Sequence, residues 1–172
     1  KQLGQLNAPG VIERMICAEL GVPTEFPSDA TAAAKKAGPP NSKGRVDLQS
    51  LPLITIDDED ARDFDDAVWA TRDSDSNKQG GWKLTVAIAD VAAYVKPDDP
   101  IDREAKRRGN SVYMPRLVVP MLPEVLCNEW CSLKPKETRA CLAVHIWIDH
   151  NGSILRYRFE RALIQSVARL TY

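Results

Sequence analysis

The chain has 172 residues, 44% of them hydrophobic and 27% charged, with a formal net charge of −1. That is enough apolar material for one ordinary domain with a real core. The near-neutral balance argues against a simple nucleic-acid binding module held by an overall basic field, and leaves room for an enzyme whose basic surface is local or lies on another domain. No apolar run approaches the roughly 18 residues of a membrane helix, and the first residues, K-Q-L-G-Q-L-N-A-P-G, have no signal-peptide shape. A chain that starts at Lys1 without Met is expected to be a piece of something longer.

Residues 9–20 read as a short helix, with Pro9 in the first turn, an apolar stripe of Val11, Ile12, Met15, Ile16 and Leu20, and Gly21 as a stop. An alanine-rich turn follows, and residues 38–45 have the Pro, Gly and Ser content of a linker. The expected organisation is therefore a helix and linker over 1–45, then a compact domain over 46–172.

From there the pattern is mostly that of strands. Residues 53–56 form a short apolar run that delivers Asp57 at its end. Residues 67–72 and 82–89 flank D-S-D-S-N-K-Q-G-G, a polar hairpin loop. Asp73, Asp75 and Asn77 alternate there as calcium ligands do. Lys78, however, stands where an EF-hand needs Gly, and Leu84 where it needs the bidentate Glu, so the loop is expected to be only a loop.

Asp99-Pro100 opens a helix that Gly109 closes. Its Arg103, Lys106, Arg107 and Arg108 form the densest basic patch, expected as a solvated face, with a phosphate-facing patch as the alternative. Residues 123–131 suggest another short helix, and Asn151-Gly152 between two β-rich runs signals a hairpin. His145, between Val144 and Ile146 on the first of these runs, reads as structural or exposed rather than catalytic.

Cys17, Cys127, Cys131 and Cys141 do not form a disulfide framework and fit free thiols in a cytoplasmic protein. Cys127 and Cys131 with His145 lack the paired spacing of a zinc site and read as buried small hydrophobes.

The stretch I-D-D-E-D-A-R-D-F-D-D-A, residues 56–67, packs seven acids into ten residues with only Arg62 to offset them. Two carboxylates ~4 Å apart repel by about 4 kcal/mol at an effective dielectric near 20. A solvated surface loop is the plain alternative, but apolar runs on both sides anchor this one near a core. Hard divalent cations prefer oxygen ligands, and the spacing Asp57, Asp63, then Asp65 and Asp66 leaves two adjacent acids that can serve two metals, or a metal and a water. Paired cations are a standard device for phosphodiester cleavage. No Gly-rich phosphate loop, G-x-S-x-G or Cys–His pair competes.

T-I-D-D-E-D-A-R-D-F-D-D-A-V resembles the signature of the ribonuclease II / ribonuclease R family of exoribonucleases, the RNB family. The resemblance continues through V-A-I-A-D-V-A-A-Y-V, D-R-E-A-K-R-R-G-N-S-V-Y-M-P, V-V-P-M-L-P-E-V-L-C-N-E-W-C-S-L and S-V-A-R-L-T-Y, in order from Val46 to Tyr172. It lies nearest the bacterial ribonuclease R branch. It implies an α+β fold with a mixed or antiparallel sheet and short helices, as the amino-terminal part of a catalytic domain.

The activity implied is magnesium-dependent hydrolysis of single-stranded RNA from the 3′ end to nucleoside 5′-monophosphates, with one Mg2+ ion or two and Mn2+ as a substitute. Asp57 and Asp66 become direct metal ligands, Asp63 supports them, and Asp65 is the acid needed for cleavage but not for RNA binding. Tyr113, in S-V-Y-M-P, becomes the tyrosine that positions the terminal nucleotide, where stacking would hold a splayed base without reading sequence.

Asp58, Cys127 and Trp130 depart from the family pattern without touching the four acids. The family also implies parts lying outside this chain: the rest of the RNB domain with a further arginine, cold-shock-type domains before it, and an S1 domain after it.

Overall fold

The computed structural model describes residues 8–73 and 81–172. The polar hairpin loop, with Asp75 and Asn77, therefore lies almost wholly outside the described residues. Each of two compact units is drawn from two stretches of chain. The first takes residues 1–37 and 95–126, the second residues 38–94 and 127–172.

In the first unit, α1 spans Val11–Glu19, with Gly10 rather than Pro9 at its start. Gly10 and Gly21 both have positive φ, which any side chain would strain. The alanine-rich stretch is a helix, α2 (Ser28–Ala34), and not the expected turn. Its own propensity is modest at seven residues; burial of Ala30 and Ala34 against α3 supplies the rest. Helix α3, Pro100–Arg108, has the expected ends: Asp99 accepts a hydrogen bond from the Asp102 amide, and Gly109 follows with φ 80°. A hairpin of β5 (Val112–Met114) and β6 (Leu117–Val119) completes the unit.

The second unit is a seven-stranded mixed sheet. Its strands are β1 (Val46–Asp47), β2 (Ile54–Ile56), β3 (Asp66–Arg72), β4 (Trp82–Ala89), β7 (Thr138–Ile148), β8 (Ile154–Gln165) and β9 (Ala168–Leu170). Their order is β1-β8-β7-β4-β3-β2-β9, with β1–β8 and β2–β9 parallel and the other pairs antiparallel. This is the α+β architecture expected. The helix expected over 123–131 is instead a π-helical turn over Val125–Trp130, which nothing in the apolar spacing distinguishes from an α-helical one.

The β7–β8 hairpin turns at Asp149, whose carboxylate accepts from the Asn151 and Ser153 amides. Only Gly152 of the expected Asn-Gly pair has positive φ, so the turn is not the mirror-image type that needs both. The Asp149 side chain holds the conformation instead.

The two faces of the sheet differ sharply. Across β4, β7 and β8 one face carries Thr85, Ala87, Cys141, Ala143, His145 and Ala162, all buried. The register places Ile88, Leu142, Tyr157 and Phe159 on the other, where all four are exposed.

Candidate active site

The backbone of the acidic stretch is tied down at each end and in the middle. Asp57 follows β2, and its amide donates to the Leu170 carbonyl of β9. Asp66 opens β3 opposite Ile88, and the Asp65 carbonyl accepts from the Ala89 amide. Between them Phe64 is buried, flanked by Asp63 and Asp65. The Phe64 amide donates to Ser132 Oγ, Ser132 Oγ donates to the Arg62 carbonyl, and the Leu133 amide donates to the Phe64 carbonyl. A repulsive run of acids thus keeps a defined path because an apolar anchor and five backbone contacts hold it.

The side chains have no such settlement. Burial pushes the Asp57 carboxyl up from its ordinary value, while Asp66 and Asp63 push the same way and Thr55 and Arg169 hold it back. Neither Thr55 Oγ1 nor Asp57 Oδ2 makes a hydrogen bond of ordinary geometry, although both atoms are buried. Asp65 is pushed up to about 6, first by burial and then by the charges of Asp63, Asp66 and Asp57. Its side chain is exposed, and the three like charges alone set the same direction.

The four predicted acids therefore act on one another. Among the described residues, however, no three His, Cys, Asp or Glu side chains are gathered closely enough to hold a metal ion as they stand. Mutual repulsion opposes such gathering, and closing the set takes a counter-charge. The residues nonetheless fit a hard cation: the donors are all carboxylate oxygens, one buried oxygen is orphaned, and the shared field favours any positive charge.

Arg169, on β9, was given no role by the sequence. Its Nη2 donates to the carbonyls of Asp58 (2.5 Å) and Glu59 (2.7 Å), and its guanidinium lies 5.2 Å from the centroid of the Phe64 ring. The signal was available: S-V-A-R-L-T-Y was among the motifs, and a loop so rich in acids calls for a cation.

Tyr113 lies on β5 in the other unit, with 66% of its surface exposed. The basic patch of α3 is paired with carboxylates of its own and neighbouring segments. Lys106 binds Asp102 and Asp98, Arg107 and Arg108 both bind Glu104, and Arg103 lies 3.7 Å from Asp29. Arg108 is buried over the Phe26 ring. The solvated-face expectation fails for Arg108, because a neutralising carboxylate and an aromatic face make its burial tolerable.

His145 is structural as expected. Its Nδ1 lies 2.9 Å from Thr85 Oγ1 and its Nε2 2.8 Å from Glu160 Oε1, leaving neither nitrogen for zinc. Burial pushes the Cys131 and Cys141 thiols up to about 12, so both stay protonated.

Comparison with known proteins agrees with the motifs. The RNB domain matches residues 45–172. Ribonuclease R of Vibrio cholerae is 47% identical over 99% of this chain, which spans 21% of that protein. Ribonuclease R of Escherichia coli K12 is 47% identical over 95% of the chain, which spans 18% of it. The structure of Mycoplasma genitalium RNase R in complex with ribose-methylated single-stranded RNA superimposes with a TM-score of 0.90 at 33% identity, over 99% of this chain and 26% of that one. The chain thus spans about a fifth of the length of these curated relatives. Among the described residues no helix is long and apolar enough to cross a membrane. With a matching domain over most of its length and an aligned fold, the chain belongs to the RNB domain family.

Proposed function

We propose that this chain is part of a magnesium-dependent exoribonuclease that hydrolyses single-stranded RNA from the 3′ end, releasing nucleoside 5′-monophosphates. The single observation that carries the reading is the acidic loop: four mutually repelling carboxylates on a firmly anchored backbone, with Asp57 Oδ2 buried and unpartnered. A fold that needed only stability would gain by removing them. RNA as the substrate class is supported by the relatives, one of them solved with single-stranded RNA. The 3′-to-5′ direction and the 5′-monophosphate products rest on the family resemblance.

Asp57 and Asp66, at the ends of the loop, would hold Mg2+, or Mn2+ in its place, with Asp63 supporting them. One ion or a pair would supply a water of lowered pKa and stabilise the developing charge on the leaving oxygen. Asp65, flanked by Asp63 and Asp66 and under their charge, would orient that water or complete the ligand set. The exposed Tyr113 ring would stack on a base near the terminus. The site would work in the cytoplasm, within a longer chain holding the rest of the RNB domain, cold-shock-type domains and an S1 domain.

The deciding experiment uses the full-length protein with Asp65→Asn. RNA affinity should stay within about twofold, because it comes from phosphate contacts and stacking spread along the strand. Hydrolysis should fall by several orders of magnitude, because Asn cannot supply the charge that strengthens as the transition state forms. Near-native hydrolysis would remove the acidic loop from the chemistry. A native full-length protein that binds RNA but never cleaves it would favour an RNA-binding module with a degenerate site.

A further inference from the structure

The sheet ends on β9, a three-residue strand whose middle residue is Arg169. Parallel pairing sets Arg169 beside Thr55 of β2, two residues before Asp57. From there its Nη2 reaches two successive carbonyls, Asp58 and Glu59, at the first turn of the acidic loop. The guanidinium carbon lies over the ring of Phe64, the apolar anchor of the same loop, and Nε is buried without a hydrogen-bond partner. Asp57 also lies within reach of its charge. One side chain therefore grips the loop on both sides of its first turn and adds a fixed positive charge to a segment of seven acids.

We propose that Arg169 is a positioning residue for cation loading, holding the turn that aims Asp57 into the acidic cluster. The inference deepens the metal reading above and rests on it. A carbonyl pair and an aromatic face together select Arg over Lys. The guanidinium presents several donors in a plane and stacks, whereas an ammonium is a compact point charge that cannot do both at once. Arg169 touches no reacting atom; it acts through the backbone of Asp58 and Glu59 and through its field on Asp57. Groups that orient metal ligands from behind typically change metal affinity by roughly 10–100-fold when removed.

The test uses full-length protein as native, Arg169→Lys and Arg169→Met. Mn2+ affinity is measured by paramagnetic resonance without RNA, and hydrolysis is followed across a Mg2+ titration. Arg169→Met should weaken Mn2+ binding by roughly tenfold or more and raise the half-saturating Mg2+ in proportion, with hydrolysis at saturating Mg2+ returning to within a few-fold of native. Arg169→Lys should recover only part of the affinity, since it restores charge but not the fork. RNA affinity measured in chelator should not change. Unchanged Mn2+ affinity in both variants would overturn the proposal, as would a loss of hydrolysis that no Mg2+ concentration repairs, which is the mark of a merely structural arginine. Full recovery by Lys would overturn the positioning role in favour of charge alone. A native protein that binds no Mn2+ would overturn the metal reading itself, and the proposal with it.

Discussion

At the middle of the sheet His145 is buried with both ring nitrogens engaged, Nε2 by Glu160 and Nδ1 by Thr85. Glu160 is held in turn by Arg158. At the end of the same sheet the acidic loop has its backbone tied at each end and in the middle, while its carboxylates repel one another and Asp57 Oδ2 makes no hydrogen bond of ordinary geometry. If Nε2–H donates to Glu160, Nδ1 accepts from the Thr85 hydroxyl, and every polar atom of the first cluster is satisfied. A network of that kind rigidifies a core. The second cluster keeps an excess of negative charge that Arg62 and Arg169 do not offset. The difference teaches that polar groups serving the fold are closed among themselves, whereas the acids proposed to serve a ligand are left open on a rigid frame.

The largest expected effect breaks the open cluster: Asp65→Asn in the full-length protein should cost several orders of magnitude in hydrolysis with RNA affinity preserved, as quantitative cleavage and binding assays would read. Breaking the closed cluster should do the reverse. His145→Ala leaves the buried Thr85 hydroxyl without its partner, leaves Glu160 to Arg158 alone and opens a cavity, so stability should fall by about 2–4 kcal/mol. Trp147, whose ring centroid is 6.2 Å from that of His145, gives a fluorescence signal for urea unfolding. Hydrolysis per folded molecule should be unaltered; a selective loss of hydrolysis would place His145 in the chemistry.

A smaller effect follows from pH. The Asp65 carboxyl is pushed up to about 6 in the fold, from an ordinary value near 4. Between those values the folded chain binds more protons than the unfolded one, so this group lowers stability as pH rises through about 4 to 6. Acids held below their ordinary values, among them Asp99 and Glu104, act oppositely, so a difference is the measurement to make. The melting temperature of metal-free Asp65→Asn minus that of the native chain should be near zero at pH 4 and grow in favour of the variant by pH 7. A flat difference would mean that the four carboxylates do not share a field.

Tyr113→Ala should weaken binding of short RNA by the worth of one stacked base, about 1–3 kcal/mol. It should also change the length distribution of end products, leaving thermal stability alone because the ring is largely exposed. Smallest of all, Cys131 and Cys141 should resist alkylation in the folded chain at pH 8. Burial holds both thiols near 12, and mass spectrometry after brief iodoacetamide exposure would check it.

Much of the fold was legible because the signals were local. The strands at 53–56, 67–72 and 82–89 show their apolar pattern within a few residues, and α3 carries its own cap and stop. Local reading failed where a distant partner decided the outcome. Seven residues at 28–34 become a helix because Ala30 and Ala34 find α3 to bury against. The β7–β8 turn depends on the Asp149 carboxylate and not on Asn151 adopting positive φ. Arg108 reads as one more surface cation until Phe26 and Glu104 close around it.

By itself the sequence singled out the acids proposed to carry the chemistry. Seven acids in ten residues between apolar runs is a charge density that a fold does not favour without use, and the ordered motifs name the family from residue identity alone. What only the tertiary structure decided is how that loop is held. Ser132 binds the Phe64 amide from 68 residues away, and Arg169 binds the Asp58 carbonyl from 111. Tertiary structure also decided that Ile88, Leu142, Tyr157 and Phe159 share an open face while Thr85, Ala143 and His145 share a buried one. The physical reason is the same in each case. Charge and alternation are properties of neighbours along the chain, whereas hydrogen-bond satisfaction and burial are properties of neighbours in space, set only when strands far apart in sequence take their register.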